Sequence, residues 1–188
     1  MPNWCNNSIT IKGSTETIKT LWEEANQEGS GLLNAMVPMP VELRDTVKGS
    51  NGDAVNWYDW AVSNWGTKWD VSTEGLEFTD NGDGTAEIDG YFDSAWAPPI
   101  DAYSAFCDNM DGVYLEAYYE EGGTCFVGYW DSEGADDHYD YSGATSEDVR
   151  NMVPEYLVDY YDLDERLADY EAEEMEEEEE VDLTPTGL

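Results

Sequence analysis

Gly75-Leu76-Glu77-Phe78-Thr79-Asp80-Asn81-Gly82-Asp83-Gly84-Thr85-Ala86-Glu87-Ile88-Asp89-Gly90-Tyr91-Phe92 is the stretch on which the fold turns. Its middle, residues 80–84, is built from Asn, Asp and Gly, which tolerate positive φ. It therefore reads as a tight turn between strands 75–79 and 85–92. Downstream, Trp96-Ala97-Pro98-Pro99 opens a helix near 99–109, with proline in the first turn where no amide bond is lost. Asp111-Gly112 closes that helix, and strands 113–120 and 124–130 make a second hairpin around Glu121-Gly122-Gly123.

Upstream, residues 6–12 read as a strand in which Ile9 and Ile11 alternate with polar neighbours. Gly13-Ser14 then opens a helix near 15–27 whose apolar face is Ile18, Leu21, Trp22 and Ala25. Met36-Val37-Pro38-Met39-Pro40 is too proline-rich for a central strand. Residues 41–47 suggest a short helix or turn, 48–52 a flexible loop, and 54–64 a helix with Val55, Tyr58 and Val62 on one side. The order is β-α-(insertion near 41–70)-ββ-α-ββ. It predicts an α+β, ferredoxin-like antiparallel sheet with helices on one face and one additional strand, over residues 1–130.

The remainder divides in two. Residues 131–170 read as an acidic loop followed by a helical extension, with a capping-box-like start at Thr145-Ser146-Glu147-Asp148 and a break at Pro154. In that extension Tyr156, Tyr160, Leu163, Leu167 and Tyr170 fall at helical spacing. Residues 171–188 begin with eight Glu in ten positions and read as an acidic frayed helix or disordered tail.

Charge limits what this chain can do. Its 188 residues hold 44 Asp and Glu against 7 Lys and Arg, a net −37 at pH 7. Direct binding to nucleic acid or to an anionic membrane is not expected, because phosphate recognition needs a basic footprint. The chain is nevertheless folded: 8 Trp, 13 Tyr and 4 Phe are far more aromatics than disordered acidic chains carry. No basic-then-apolar leader and no apolar run near ~18 residues is visible, so a cytoplasmic protein is expected, in the host's cytoplasm if phage-encoded.

Catalytic patterns are scarce. The one histidine, His138, sits in Asp136-Asp137-His138-Tyr139-Asp140 with no nucleophile pattern beside it, and reads as a solvated loop residue. Cys5, Cys107 and Cys125 have no C-x-x-C spacing and read as buried thiols of a reducing compartment. Residues 80–84 fail as a calcium loop, since Thr79 and Gly90 would fall on ligand positions. No phosphate-binding glycine motif is present, so no enzymatic activity, cofactor or metal is expected.

Two surfaces remain. The acidic one comprises Glu155, Asp159, Asp162, Asp169, Glu173 and Glu176, with Asp136, Asp137 and Asp140 as a second patch. Carboxylates three or four residues apart on a helix are separated by about 5–6 Å, a spacing comparable to the charge spacing of a duplex, which carries one charge per ~1.7 Å of axis. Such a stripe suits the basic groove of a DNA- or RNA-binding protein. Solvation of the fold, a saline habitat, and binding of cations or a basic partner without mimicry are the competing readings of the acidity. The other surface is the Trp-dense segment with Trp65, Lys68 and Trp69, which reads as a protein-binding face, as a structural cation–π contact, or as a pocket, the last being the place an enzymatic site would occupy.

Met1-Pro2-Asn3-Trp4-Cys5-Asn6-Asn7 with Ile9-Thr10-Ile11-Lys12-Gly13, Pro38-Met39-Pro40, residues 64–70, Ala95-Trp96-Ala97-Pro98-Pro99 and Tyr119-Glu120-Glu121-Gly122 follow one another in an order that resembles the Api92-like (YubB, DUF1281) proteins of bacteriophages and plasmids. The resemblance covers residues 1–130. It implies a ferredoxin-like domain and a mobile-element origin, and it implies no activity and no catalytic residues. Mobile elements often carry inhibitors of host defence, an association that favours mimicry directed at a basic host nucleic-acid-binding protein.

Overall fold

The computed structural model describes residues 3–47 and 55–182, with side chains through Glu176. The loop expected at 48–52 lies outside the described residues.

Period-two alternation builds the first element. β1 (Trp4–Ser14) buries Cys5, Asn7, Ile9 and Ile11 and turns Asn6, Ser8, Thr10 and Lys12 to the other face. Ser14 ends the strand and caps α1 (Thr15–Ala25), its hydroxyl accepting from the Thr17 amide at 3.2 Å. Helix α1 buries Ile18, Leu21 and Ala25.

The insertion is α2 (Leu32–Met36), α3 (Val41–Arg44) and α4 (Trp57–Trp65). Asn56 caps α4 by accepting from the Tyr58 and Asp59 amides, and Gly66 closes it at φ 79°. The buried face of α4 is Ala61 and Trp65, while Val55 and Val62 are exposed, the reverse of the expected face. The indoles decide this: Trp65 donates Nε1–H to the Val37 carbonyl at 2.9 Å and meets Trp60 edge-on.

The hairpin expected around residues 80–84 is present as β2 (Leu76–Asp80) and β3 (Thr85–Ala95). Gly82 and Gly84 take φ 75° and 93° in its turn, and Asp80 and Asp83 accept from the Gly82 and Thr85 amides. Next come α5 (Ile100–Asn109), β4 (Tyr114–Glu121) and β5 (Phe126–Asp131).

The sheet is antiparallel in the order β2-β3-β1-β4-β5-β6. The first four strands with α1 and α5 are the β-α-β-β-α-β unit of a ferredoxin-like α+β sandwich. The main core, centred on Ile9, Ile11, Ile88, Leu115, Leu21 and Phe106, lies between that sheet and α1, α2, α4 and α5.

The last third departs from expectation in three ways. First, residues 131–144 are not only loop, because β6 (Asp136–Asp140) pairs with β5 and adds a second extra strand. Residues on both sides of 130 therefore share one sheet. Second, helices occupy both faces. The helices α6 (Val149–Met152), α7 (Glu155–Tyr161) and α8 (Leu163–Asp182) cover the far side of β4–β6 through a separate core of Val127, Tyr141, Val149, Val153, Leu157, Val158 and Leu163. Third, the helix expected across 156–170 breaks at Asp162, which adopts the left-handed conformation at φ 50°. Its packing face is Leu157, Val158 and Leu163, and Tyr156, Tyr160 and Tyr170 are exposed. Of the two readings of the acidic run the helical one holds, and the helix continues through Asp182.

Candidate functional site

The predicted acidic residues do not form one stripe. Glu155 is in the first turn of α7 and Asp162 at the αL break, so the α7 carboxylates and those of α8 belong to two differently directed helices. Asp159 and Asp164 converge on Arg150 at 3.3 and 2.7 Å, which offsets part of the charge there. Only Asp169, Glu173 and Glu176 keep an i, i+4, i+7 relation on one helix, all exposed.

The second patch is also split, by strand alternation. Asp136 and Asp140 share a side of β6 with His138, while Asp137 points to the other and accepts from the Tyr156 hydroxyl at 2.6 Å. His138 is therefore a strand residue whose ring lies 5.0 Å from Phe126, with Nδ1 3.2 Å from the Tyr119 hydroxyl.

A larger acidic surface lies elsewhere. The helices of the second layer pack on β4–β6, and among the described residues no helix covers the β2-β3-β1 half of that face. Register places Glu77 of β2, Glu87, Asp89, Tyr91 and Asp93 of β3, and Asn6, Ser8, Thr10 and Lys12 of β1 on this open face. Strands lie about 4.8 Å apart and i, i+2 neighbours about 6.7 Å apart, so Glu77, Glu87, Asp89 and Asp93 form a two-dimensional array. Lys12 is the basic residue among them. Tyr91, 66% exposed, stands between Asp89 and Asp93. The signal was in the sequence: Glu87, Asp89, Tyr91 and Asp93 are the period-two partners of Ala86, Ile88 and Phe92.

Where the open and covered halves meet, carboxylates are tied down. The Tyr129 hydroxyl donates to Glu116 at 3.2 Å and to Asp131 at 3.1 Å, and Tyr114 also donates to Glu116 at 2.9 Å. Burial would raise the Asp131 carboxyl, but amide donors from Ala135 and Glu133 and the Tyr129 hydroxyl hold it below the usual range. Glu120, nearly buried, accepts from the Tyr141 hydroxyl at 2.6 Å and meets Arg166 at 3.4 Å, which joins α8 to β4. Burial together with Glu120 pushes the Tyr141 hydroxyl up, so it stays a donor.

The Trp segment resolves into a core and a surface. Trp65, expected at the surface, is 4% exposed and belongs to the main core, where its ring meets Trp60 and its N–H is satisfied by the Val37 carbonyl. Trp69 is exposed, and Lys68 is half-buried. The Lys68 ammonium sits over the rings of Trp69, Trp96 and Tyr58 at 4.3, 5.4 and 5.9 Å. Trp4 packs on Trp69 at 5.9 Å, and Trp96 is held at φ 71° with its ring partly exposed. Burial pushes the neighbouring Asp70 carboxyl up, against the pull of amides from Val71, Asn34 and Leu33.

No family model matches the chain, and no curated protein matches it. Among solved structures it is distantly similar to protein api92 from Yersinia pseudotuberculosis, labelled with the DUF1281 family model. The identity is 15% and the TM-score 0.42, over 62% of this chain and 42% of that one. The chain thus corresponds to less than half of that protein's length, and a likeness of this degree bears on neither site nor function. No helix among the described residues is long and apolar enough to cross a membrane.

Proposed function

We propose that the protein is a folded polyanion that occupies the basic groove of a DNA- or RNA-binding protein and so competes with nucleic acid. The observation that supports this is the face of β2-β3-β1 that no described helix covers, where Glu77, Glu87, Asp89 and Asp93 are fixed in rows by backbone pairing. Carboxylates on a sheet are preorganised, whereas a flexible Glu run must lose conformational freedom on binding. Asp169, Glu173 and Glu176 on α8 extend the negative field and speed encounter. The function is binding, and no reaction is invoked.

The test is affinity capture from a cell lysate on immobilised protein, followed by elution with duplex DNA or with salt. A nucleic-acid-binding partner is expected to be released by both. It should not be retained by the variant carrying Glu77→Gln, Glu87→Gln, Asp89→Asn and Asp93→Asn. Capture that withstands salt and DNA contradicts the proposal.

One observation favours a second reading, a protein-binding face centred on aromatics: Trp4, Trp69 and Trp96 are all partly exposed around Lys68. Under that reading Trp4→Ala with Trp69→Ala abolishes capture and the four-carboxylate variant leaves it intact.

A further inference from the structure

Ion pairs among the described residues use Lys19, Arg150 and Arg166. Arg44 and Lys68 take part in none, although acids outnumber bases 44 to 7 in this chain. Both line the same open cavity of about 210 Å³, whose other walls include Trp57, Trp65 and Trp69. In so acidic a chain, two basic residues outside any ion pair that line one aromatic-walled cavity single that cavity out.

The local chemistry keeps both charges available. Among the described residues the Arg44 guanidinium meets a neutral acceptor, Asn34 Oδ1, at 3.4 Å. Lys68 is held on ring faces, which attract its charge without accepting its N–H groups in line, so its donors can serve an oxyanion. Asp70 also reaches the cavity, but its Oδ1 accepts from the Leu33 and Val71 amides, both at 2.8 Å, and from Asn34 at 3.3 Å. That oxygen is committed to holding the start of α2.

We propose that this cavity binds a small aromatic anion, its carboxylate or phosphate between Arg44 and Lys68 and its ring against Trp57 and Trp69. The size restricts the class: the cavity is smaller than the ~300–1,000 Å³ of drug-sized sites, so it takes a single ring with one anionic group rather than a dinucleotide. Charge-assisted hydrogen bonds supply the selection against neutral and cationic analogues.

Four probes sharing one ring test this: benzoate, phenyl phosphate, benzamide and benzamidine, titrated while the indole N–H signals of Trp57 and Trp69 are followed by 1H–15N NMR. Benzoate or phenyl phosphate is expected to shift those signals saturably, and their ranking identifies the headgroup. Benzamide should bind about tenfold more weakly, the loss of one charge-assisted contact. Arg44→Gln and Lys68→Gln should each weaken the anion by a similar factor, and Lys12→Gln, at the far end of the sheet, should not. If Lys68→Gln loosens the aromatic cluster, Arg44→Gln at the exposed end of α3 decides alone. No saturable shift with either anion, benzamidine binding as tightly as benzoate, or anion binding that survives Arg44→Gln overturns the proposal.

Discussion

Two residues in the β4–β5 region show how closely the covered half of the sheet is fitted. Gly128 has no room for a side chain: a Cβ there would lie 2.3 Å from the Tyr119 ring and hydroxyl and 2.3 Å from the Asp137 carbonyl. Gly128→Ala is therefore expected to cost about 3 kcal/mol by overpacking, a fall in Tm on the order of 6–12 °C for a chain of this size. A loss under 2 °C in a thermal melt would show that β6 yields easily. Glu121, also buried, organises the β4–β5 turn by accepting from the Gly123 and Thr124 amides and from the Thr124 hydroxyl. Burial acts to raise its carboxyl, but these donors and Asn3 bring it below its ordinary value of 4.5. A carboxyl lowered on folding adds stability above its unfolded pKa, and that stability is lost as pH falls through the folded value. Glu121→Gln should therefore lower Tm at pH 7 and have a much smaller effect near pH 3. An equal effect at the two pH values would mean that the charge is not what matters.

At the scale of elements, the second helical layer is tied to β4–β6 and to little else. Its core is separate from the main one, so Leu157→Ala, which empties a fully buried site, should cost about 2–5 kcal/mol and act locally. Amide exchange is expected to quicken in α6–α8 and β6 while β1 and β3 keep their protection; uniform quickening would show that the two cores unfold as one. The elements themselves were unevenly legible. Ser14, the residue 80–84 turn and Pro98-Pro99 announce their boundaries through local chemistry, and α1, the hairpin and α5 fall where they indicate. Strand β6 was hidden because Asp136-Asp137-His138-Tyr139-Asp140 is polar at every position but one. It pairs at the edge of the sheet, where solvent accepts such residues. The break at Asp162 left no glycine or proline as a signal. The α4 face differs from the expected one because three Trp outweigh two Val in the apolar area they can bury.

For the whole molecule, the sum of charge was plain from composition and its direction was not. The sequence drew attention to the last 60 residues, where charge is densest. The fold instead splits those carboxylates between two helices and a strand and ties several to Arg150 and Tyr156. The ordered array is on the open half of the sheet, in strands whose alternation was visible but whose outward residues look like ordinary solvated positions. A net −37 also opposes compaction. Raising NaCl from about 20 mM to 0.5 M, which shortens the screening length several-fold, should raise Tm by several degrees, and a flat or falling Tm would show that repulsion is already neutralised. The most direct test of the mimicry account is the salt dependence of affinity for the captured partner. The logarithm of the association constant is plotted against the logarithm of salt concentration for the native protein and for the variant with Glu77, Glu87, Asp89 and Asp93 neutralised. Mimicry predicts a steep negative slope for the native protein, as basic grooves show with phosphates, and a clearly shallower one with weaker binding for the variant. Identical slopes and affinities for the two would contradict it.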